Sequence, residues 1–502
     1  MATRTVTPVQ TGQAAANAGE AVPAARDRRP ALLAIIITLV VAVIAGAAFS
    51  GVSLLFVSIF FMVLITAALL ALRADTLVAA WITGVALLFD WYQVFPLPIN
   101  FPIVATCIAV VFLLVAFFAQ SRERPWTPVP GLWLWMLFLL VSIFPVLRGI
   151  AVLGDIRYYV TVFVNSALLY VVGIQVGRDI TSVRRLLSAL SFFAAFIGGH
   201  SLLQAKFGIT LFESPKWHDY LVSISNYLVP GTLLVRAGSF LINPDSDGTF
   251  LAMMIFLPIG LFFYSTTWRA RLLYAVEIGM VMMGLIYTYS VGALAAGAGG
   301  AVVFGVLVGY RLFAKQSRPR QLLTAMASAV ALGGVLFVLR SQVSSLATHA
   351  TAPRELLLRT GAWETGLLVI KAHPLTGVGL SLDTYFERAE PYRVALQDTR
   401  LTQPHNSFLE IAALGGLPIL LLFIAILGRA LRLAIANFRQ ASVHQQTLIG
   451  GAFACVATLT FNSLAVNAWT LAPLAVIGWL VLGAISSPGL ARSLGHADAE
   501  NT

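Results

Sequence analysis

Apolar runs of about 20 residues recur along the whole chain, the length an α-helix needs to cross the hydrocarbon core of a bilayer. Backbone in that medium finds no water to bond, so each run must satisfy its own amides as a helix. Of the 502 residues, 59% are apolar and 11% charged, and no soluble domain of ordinary size fits between the runs. The chain therefore reads as an all-α polytopic membrane protein. Runs centre near residues 40, 62, 83, 110, 139, 167, 195, 257, 280, 301, 330, 417, 456 and 478, which gives about 14 transmembrane helices (12 to 14).

A formal net charge of +11 would suggest a nucleic-acid partner in a soluble protein. Here the placement of the basic residues explains it as an orientation signal, with a lipid bilayer as the partner and no nucleic acid. With the N-terminus inside, cytoplasmic segments collect Arg26, Arg28 and Arg29, then Arg122 and Arg124, Arg184 and Arg185, Arg318 and Arg320, and Arg432 and Arg439. The short outer turns near residues 50, 97, 290 and 467 carry none. Both termini are expected in the cytoplasm.

This yields a linear plan. Residues 1–30 are a disordered cytoplasmic tail without a recognisable signal-peptide cleavage site. N-terminal spans fill 31–204, a first extracytoplasmic loop 205–248, central spans 249–339, a second loop with an amphipathic helix 340–405, C-terminal spans 406–486, and a cytoplasmic tail 487–502. Cys107 and Cys455 both fall inside expected spans, so a disulfide staples neither loop.

Loops this long in a compact membrane protein are usually functional. Between them they hold Lys206, Lys216, Arg236, Arg340, Arg354, Arg359, Lys371, Arg388, Arg393 and Arg400, while Arg148 and Arg157 flank the turn between the fifth and sixth spans. Such a face is suited to an anion; lipid phosphates or the acidic residues of the same loops are the competing partners. From Arg354 to Ala372 the pattern is helical, and Arg359, Trp363, Gly366 and Ile370 share one stripe. Either Arg359 faces a cavity or the helix is interfacial and its Arg reaches headgroups. Pro374 stops the helix, and the run from His373 to Gly379 is a turn whose glycines permit close backbone approach.

His405 lies beside the start of the next helix. Ser407 and Glu410 have the S-x-x-E spacing of a capping box, which begins the twelfth span there and gives Glu410 a capping role. The positive end of a helix disfavours imidazolium, keeps the ring able to accept a proton, and attracts phosphate. Asp245 and Asp247 read superficially as a D-x-D cation site, against which stands an Asx-turn at Asn243-Pro244. Asp90, His200 and Glu277 fall inside spans and join no cluster; Glu277 can snorkel or bond a neighbouring helix.

The string PHNSFLEIAALGGLP, preceded by RTGAWETGLLVIKAHPLTGVG, resembles the signature region of the O-antigen ligase and Wzy-type polymerase superfamily, and RAGSFLINPDSDGTFLA from Arg236 resembles its earlier block. The resemblance covers roughly the second half of the chain. It implies a GT-C-like fold and a glycosyltransferase in the bacterial cytoplasmic (inner) membrane, with its active site on the extracytoplasmic face. It further implies a polyprenyl-diphosphate-linked glycan donor, a glycan or lipid-core acceptor, and neither a cofactor nor a metal. Carried over, His405 matches the family's essential histidine and Arg359 its preceding arginine; Arg236 corresponds to the other functional arginine, and Arg157 is a further candidate. Asn406 follows the histidine as a substrate-binding group. The family often shows Ser-Arg where this chain has Ser290-Val291, so an arginine role there is absent.

Both a polymerase, whose acceptor is another lipid-linked repeat, and a ligase, whose acceptor is a lipid core or a protein, fit this pattern. A transporter or lipid-linked glycan flippase is the alternative from another class. Transporters place ionisable groups near the midplane and often show repeat symmetry, whereas here the charges crowd one face and two unequal loops break any repeat.

Overall fold

The computed structural model describes residues 78–80, 106–114, 126–208, 236–241, 243–309, 353–394 and 403–499. The chain divides into two units, Met1–Ala68 and Leu69–Thr502, and all described residues fall in the second. They form helices, turns and no strand. The expected spans near 40, 62 and 330, and most of those near 83 and 110, lie outside the described residues, as does Asp90.

In chain order the helices are α1 (Leu132–Arg148), α2 (Val152–Val176), α3 (Ile180–Phe207), α4 (Pro244–Tyr264), α5 (Trp268–Tyr287) and α6 (Val291–Gly309). The second half adds α7 (Pro353–Ala372), α8 (Leu382–Arg388), α9 (Ser407–Gly415), α10 (Leu417–Gln440), α11 (Val443–Asn462), α12 (Ala472–Ile485) and α13 (Pro488–Ala499). Among the described residues, seven segments are long and apolar enough to cross a membrane: α2, α3, α4, α5, α6, α10 and the stretch Ala472–Leu494.

Helix α2 packs on α12, α3 on α5, and α11 between α4 and α6. Where α2 and α12 cross, a Cβ on Gly173 or Gly483 would strike the opposite backbone, so small residues set the spacing as they do in lipid. Beside that crossing, Trp135, Tyr170, Phe423, Trp469 and Trp479 form one aromatic cluster, with Trp135 and Trp479 edge-on at 4.8 Å. It ties α1, α2, α10 and α12 together, each ring pair adding about 0.5–1.5 kcal/mol beyond area burial. Glu277 accepts a hydrogen bond from Ser191, so it joins α5 to the neighbouring helix α3.

The structure moves three boundaries. Helix α4 begins at Pro244 rather than after 248, because Asn243 caps it and Pro244 fits its first turn. The expected twelfth helix is broken: α9 ends at Gly416, whose φ of 88° leaves the helical region, and α10 restarts with Pro418 in its first turn. Residues 487–502 are not all tail. Ser487 donates to Ile174 O, and Leu490 and Leu494, one helical turn apart, bury α13 against the bundle.

Candidate active site

Four segments converge on Asp245. Asn243 Oδ1 accepts from Asp245 N at 2.8 Å, an Asx-type cap that fixes the first turn of α4. The Asp245 carboxylate then accepts from Arg236 Nη2 at 2.7 Å and from Ser290 Oγ at 2.8 Å through Oδ1. Arg236 Nε donates to Thr288 O at 2.8 Å, so this guanidinium, 7% accessible, is held on two sides. Arg359, from α7, brings Nη2 to 4.0 Å from Asp245 Oδ2 and stays 30% accessible. The expected choice for Arg359 is thus decided geometrically: it turns inward, to a carboxylate. Asp247 parts company with Asp245 and accepts from Ser201 Oγ at 2.8 Å, so the two carboxylates of the D-x-D string serve different partners.

Helix α7 also supports His405. Trp363 Nε1, one turn beyond Arg359, donates to His405 O at 3.4 Å, and Gly366 lets Pro404 pack against the helix. The stripe read from the sequence is therefore the face that carries the site. His405 itself adopts φ 49°, a left-handed backbone that costs a non-glycine residue about 1–3 kcal/mol and persists only where its surroundings impose it. The imposing contacts are Ser407 N to Ser463 O at 2.9 Å and Trp469 N to Ser407 Oγ at 2.9 Å.

The cap on α9 differs from the expected one. Asn406, not Ser407, is the N-cap: its Oδ1 accepts from Phe408 N and Leu409 N, and its Nδ2 donates to Leu464 O at 2.9 Å. Asn406 was expected among the substrate-binding groups; its amide instead holds the turn on which His405 sits. Glu410 is released from the capping role. It is 1% exposed and accepts a hydrogen bond from Tyr158 on α2 at 2.7 Å. Helix α9 lies outside the candidate membrane spans, and burial pushes the Glu410 carboxyl up to about 7, against the lowering effect of the Tyr158 and Thr470 hydroxyls.

A cavity of about 640 Å³ opens beside Glu410 and Tyr158. Asn243 and Ser246, either side of Asp245, line it, as do Gln403 near His405, Glu410, and Arg157 and Tyr158 of α2. Asp155 holds α2 to α8 and its cap: Ser381 N donates to its Oδ1 at 2.7 Å and Thr384 Oγ1 to its Oδ2 at 2.9 Å. The turn after α7 is fixed too. Val378 N and Gly379 N donate to Ala413 O and Leu414 O, and Gly377, φ 59°, sits where a side chain would strike Leu414 O. His373 Nε2 lies 3.3 Å from Tyr392 OH and serves this turn. Arg393 pairs with Glu390 and Arg388 donates to Val378 O, so these two loop cations have structural partners.

Residues 279–424 match the O-antigen ligase family model. The resemblance drawn from the string around His405 is borne out over that segment, and the described residues hold helices long and apolar enough to cross a membrane. No curated protein matches the chain. The ligase segment carries Ser290, Arg359, Trp363, His405 and Glu410, while Arg157, Tyr158, Arg236 and Asp245 lie before it. Several contacts that assemble the site cross that border: Ser290 and Arg359 to Asp245, Arg236 to Thr288, and Glu410 to Tyr158.

Sequence reading singled out the arginines and the histidine, but not Asp245 as the carboxylate between Arg236 and Arg359, nor Tyr158 with Glu410. Asparagine and serine cap helices equally well, so the sequence around 406 did not free Glu410 from the capping box. Tyr158, 252 positions from its partner, left none.

Proposed function

We propose that this protein transfers a glycan from a polyprenyl-diphosphate-linked donor to an acceptor hydroxyl on the extracytoplasmic face of a bacterial cytoplasmic membrane, as an O-antigen ligase or polymerase. The observation that carries the reading is the convergence of Arg236 and Arg359 on one carboxylate, at the border of a cavity whose wall includes Arg157. Breaking the anomeric bond builds negative charge on the departing diphosphate. Guanidiniums preorganised for that charge lower the barrier without a metal. Arg359, the more accessible of the pair, meets the diphosphate; Arg236, locked by Asp245 and Thr288, supplies a fixed field; Arg157 acts from the cavity wall.

His405, just before the N-terminus of α9, takes the acceptor proton as the general base. Asn406 caps that helix and holds the histidine in register. Direct attack by the acceptor oxygen inverts the anomeric configuration.

The test is purified protein with polyprenyl-diphosphate-linked oligosaccharide, without nucleotide sugar or added metal. A ladder of repeats from the donor alone marks a polymerase, and product only with a separate acceptor marks a ligase. His405→Ala and Arg359→Ala are expected to insert and fold yet form no product. A well-expressed, active His405→Ala enzyme would sink the base assignment, and a wild type that consumes no donor with either acceptor would sink the transfer reading.

A further inference from the structure

The 640 Å³ cavity falls inside the range of about 300–1,000 Å³ typical of sites for small organic groups. Its lining is unlike that of the arginine pair. Glu410 and Asp383 contribute carboxylates, Asn467 and Gln403 contribute amides joined Nδ2 to Oε1 at 3.0 Å, and Leu382 and Leu471 contribute apolar surface. Among the described residues Arg157 is the one cation on this wall, and the carboxyl groups of Glu410 and Asp383 oppose a diphosphate over the rest of it. Acceptors, amides and small apolar patches together suit a polyol, whose hydroxyls both donate and accept and whose C–H faces need dry contact.

Glu410 is the decisive group. It is 1% exposed, and Tyr158 occupies its Oε1 at 2.7 Å, fixing the carboxylate plane. Among the described residues Oε2 has no hydrogen-bond partner. The nearby Thr470 hydroxyl, which favours the ionised Glu410, is directed to Asn467 O at 3.0 Å. A purely structural tie between α9 and α2 accounts for Oε1 and leaves Oε2 bare, although a buried carboxylate oxygen without a donor is costly.

We propose that this cavity receives one pyranose ring of the glycan and that Glu410 Oε2 accepts a hydrogen bond from a ring hydroxyl, with Tyr158 as the residue that positions it. The assignment rests on the glycosyl-transfer reading above. The ring belongs either to the donor or to the acceptor, and the chemistry of recognition is the same for both.

Steady-state kinetics of the full-length enzyme in nanodiscs separate the two sources, with lipid-linked donor and acceptor varied in turn. Glu410→Gln keeps the shape and loses the charge. It is expected to raise KM about 10-fold or more for the substrate whose ring is bound, the worth of a hydrogen bond to a charged group, with a smaller change in kcat and in the other KM. Tyr158→Phe moves the same constant by less. A rise confined to the donor KM assigns the ring to the donor, and one confined to the acceptor KM assigns it to the acceptor. Should Glu410→Gln fail to fold, Asn467→Ala on the cavity wall carries the same expectation. Unchanged KM values for both substrates in the folded variants, with an active wild type, overturn the proposal and leave glycosyl transfer standing. A silent wild type overturns both.

Discussion

Replacing Asp245 by Asn tests whether one carboxylate organises both guanidiniums. Asn keeps the volume and one acceptor oxygen but not the charge. Arg236 Nη2 at 2.7 Å and Ser290 Oγ at 2.8 Å then donate to a neutral oxygen, each bond losing about 1 kcal/mol. Arg359 Nη2 stands 4.0 Å from Oδ2. Two unit charges at that distance attract by about 4 kcal/mol in an effective dielectric of 20. With the two side chains 30% and 31% accessible, solvent screening brings this to about 1 kcal/mol. Together these losses are about 3 kcal/mol, so kcat is expected to fall roughly 100-fold if the guanidiniums act on the transition state. The assay is the initial rate of lipid-linked donor consumption by purified protein, beside size-exclusion profiles that report folding. Ser290→Ala, which removes one neutral donor, is expected to fall less than about 10-fold. A second check is coupling: in the Asp245→Asn background, Arg236→Lys should cost far less than in wild type. Wild-type kcat/KM in Asp245→Asn, alongside inactive Arg236→Ala and Arg359→Ala, would refute the pivot.

Asp155→Ala leaves Ser381 N and the Thr384 hydroxyl without their buried acceptor, a loss of about 3 kcal/mol for two hydrogen bonds to a charged group; it should lower the Tm in detergent and speed proteolysis of residues 382–394, and an unaltered Tm would contradict it. Glu410 titrates near 7 in the folded protein against an ordinary 4.5, so the folded state binds the extra proton between those values. Its contribution is fully present below about pH 4.5 and is lost as pH rises through 7, up to about 3 kcal/mol. Thermal unfolding should therefore show wild type losing stability between about pH 4.5 and 7 and Glu410→Gln losing much less; parallel curves would count against the buried carboxyl.

What the sequence made legible follows the range of the physics involved. Arg359, Trp363 and Gly366 share a face because helix geometry is local, and that face proves to be the one against Asp245 and the His405 turn. The glycines after His373 were readable for the same reason, since a turn needs them whatever it packs against. The break at Gly416 was signalled by Gly-Gly-Leu-Pro, with Pro418 fit for a new first turn, but the continuous apolar run masked it. Asp245 and Glu410 were both assigned to the nearest local motif, an Asx-turn and a capping box. Asp245 does sit in its turn, and its further partners come from α6 and α7, beyond the reach of any short pattern. Asp155 shows the limit most plainly: its partners are 226 and 229 positions away.

A carboxylate between two arginines looks ill suited to an anionic substrate, yet the geometry separates two tasks. Arg236 is spent on protein, with Nε on Thr288 O and Nη2 on Asp245. Its charge is then fixed in place, and a fixed charge needs no reorganisation when negative charge develops nearby. Arg359 is close enough to Asp245 to be steered but not directly bonded at 4.0 Å, and it keeps solvent access. In the transfer proposed above, a phosphate oxygen competes only with a screened, long-range attraction for Arg359, not with a short charge-assisted hydrogen bond. Without Asp245, two guanidiniums this close would repel, and the buried one would lack a counter-charge. The carboxylate is thus what allows a cationic centre to exist before substrate arrives, and its position in the first turn of α4, held by Asn243, makes that centre part of the helical framework.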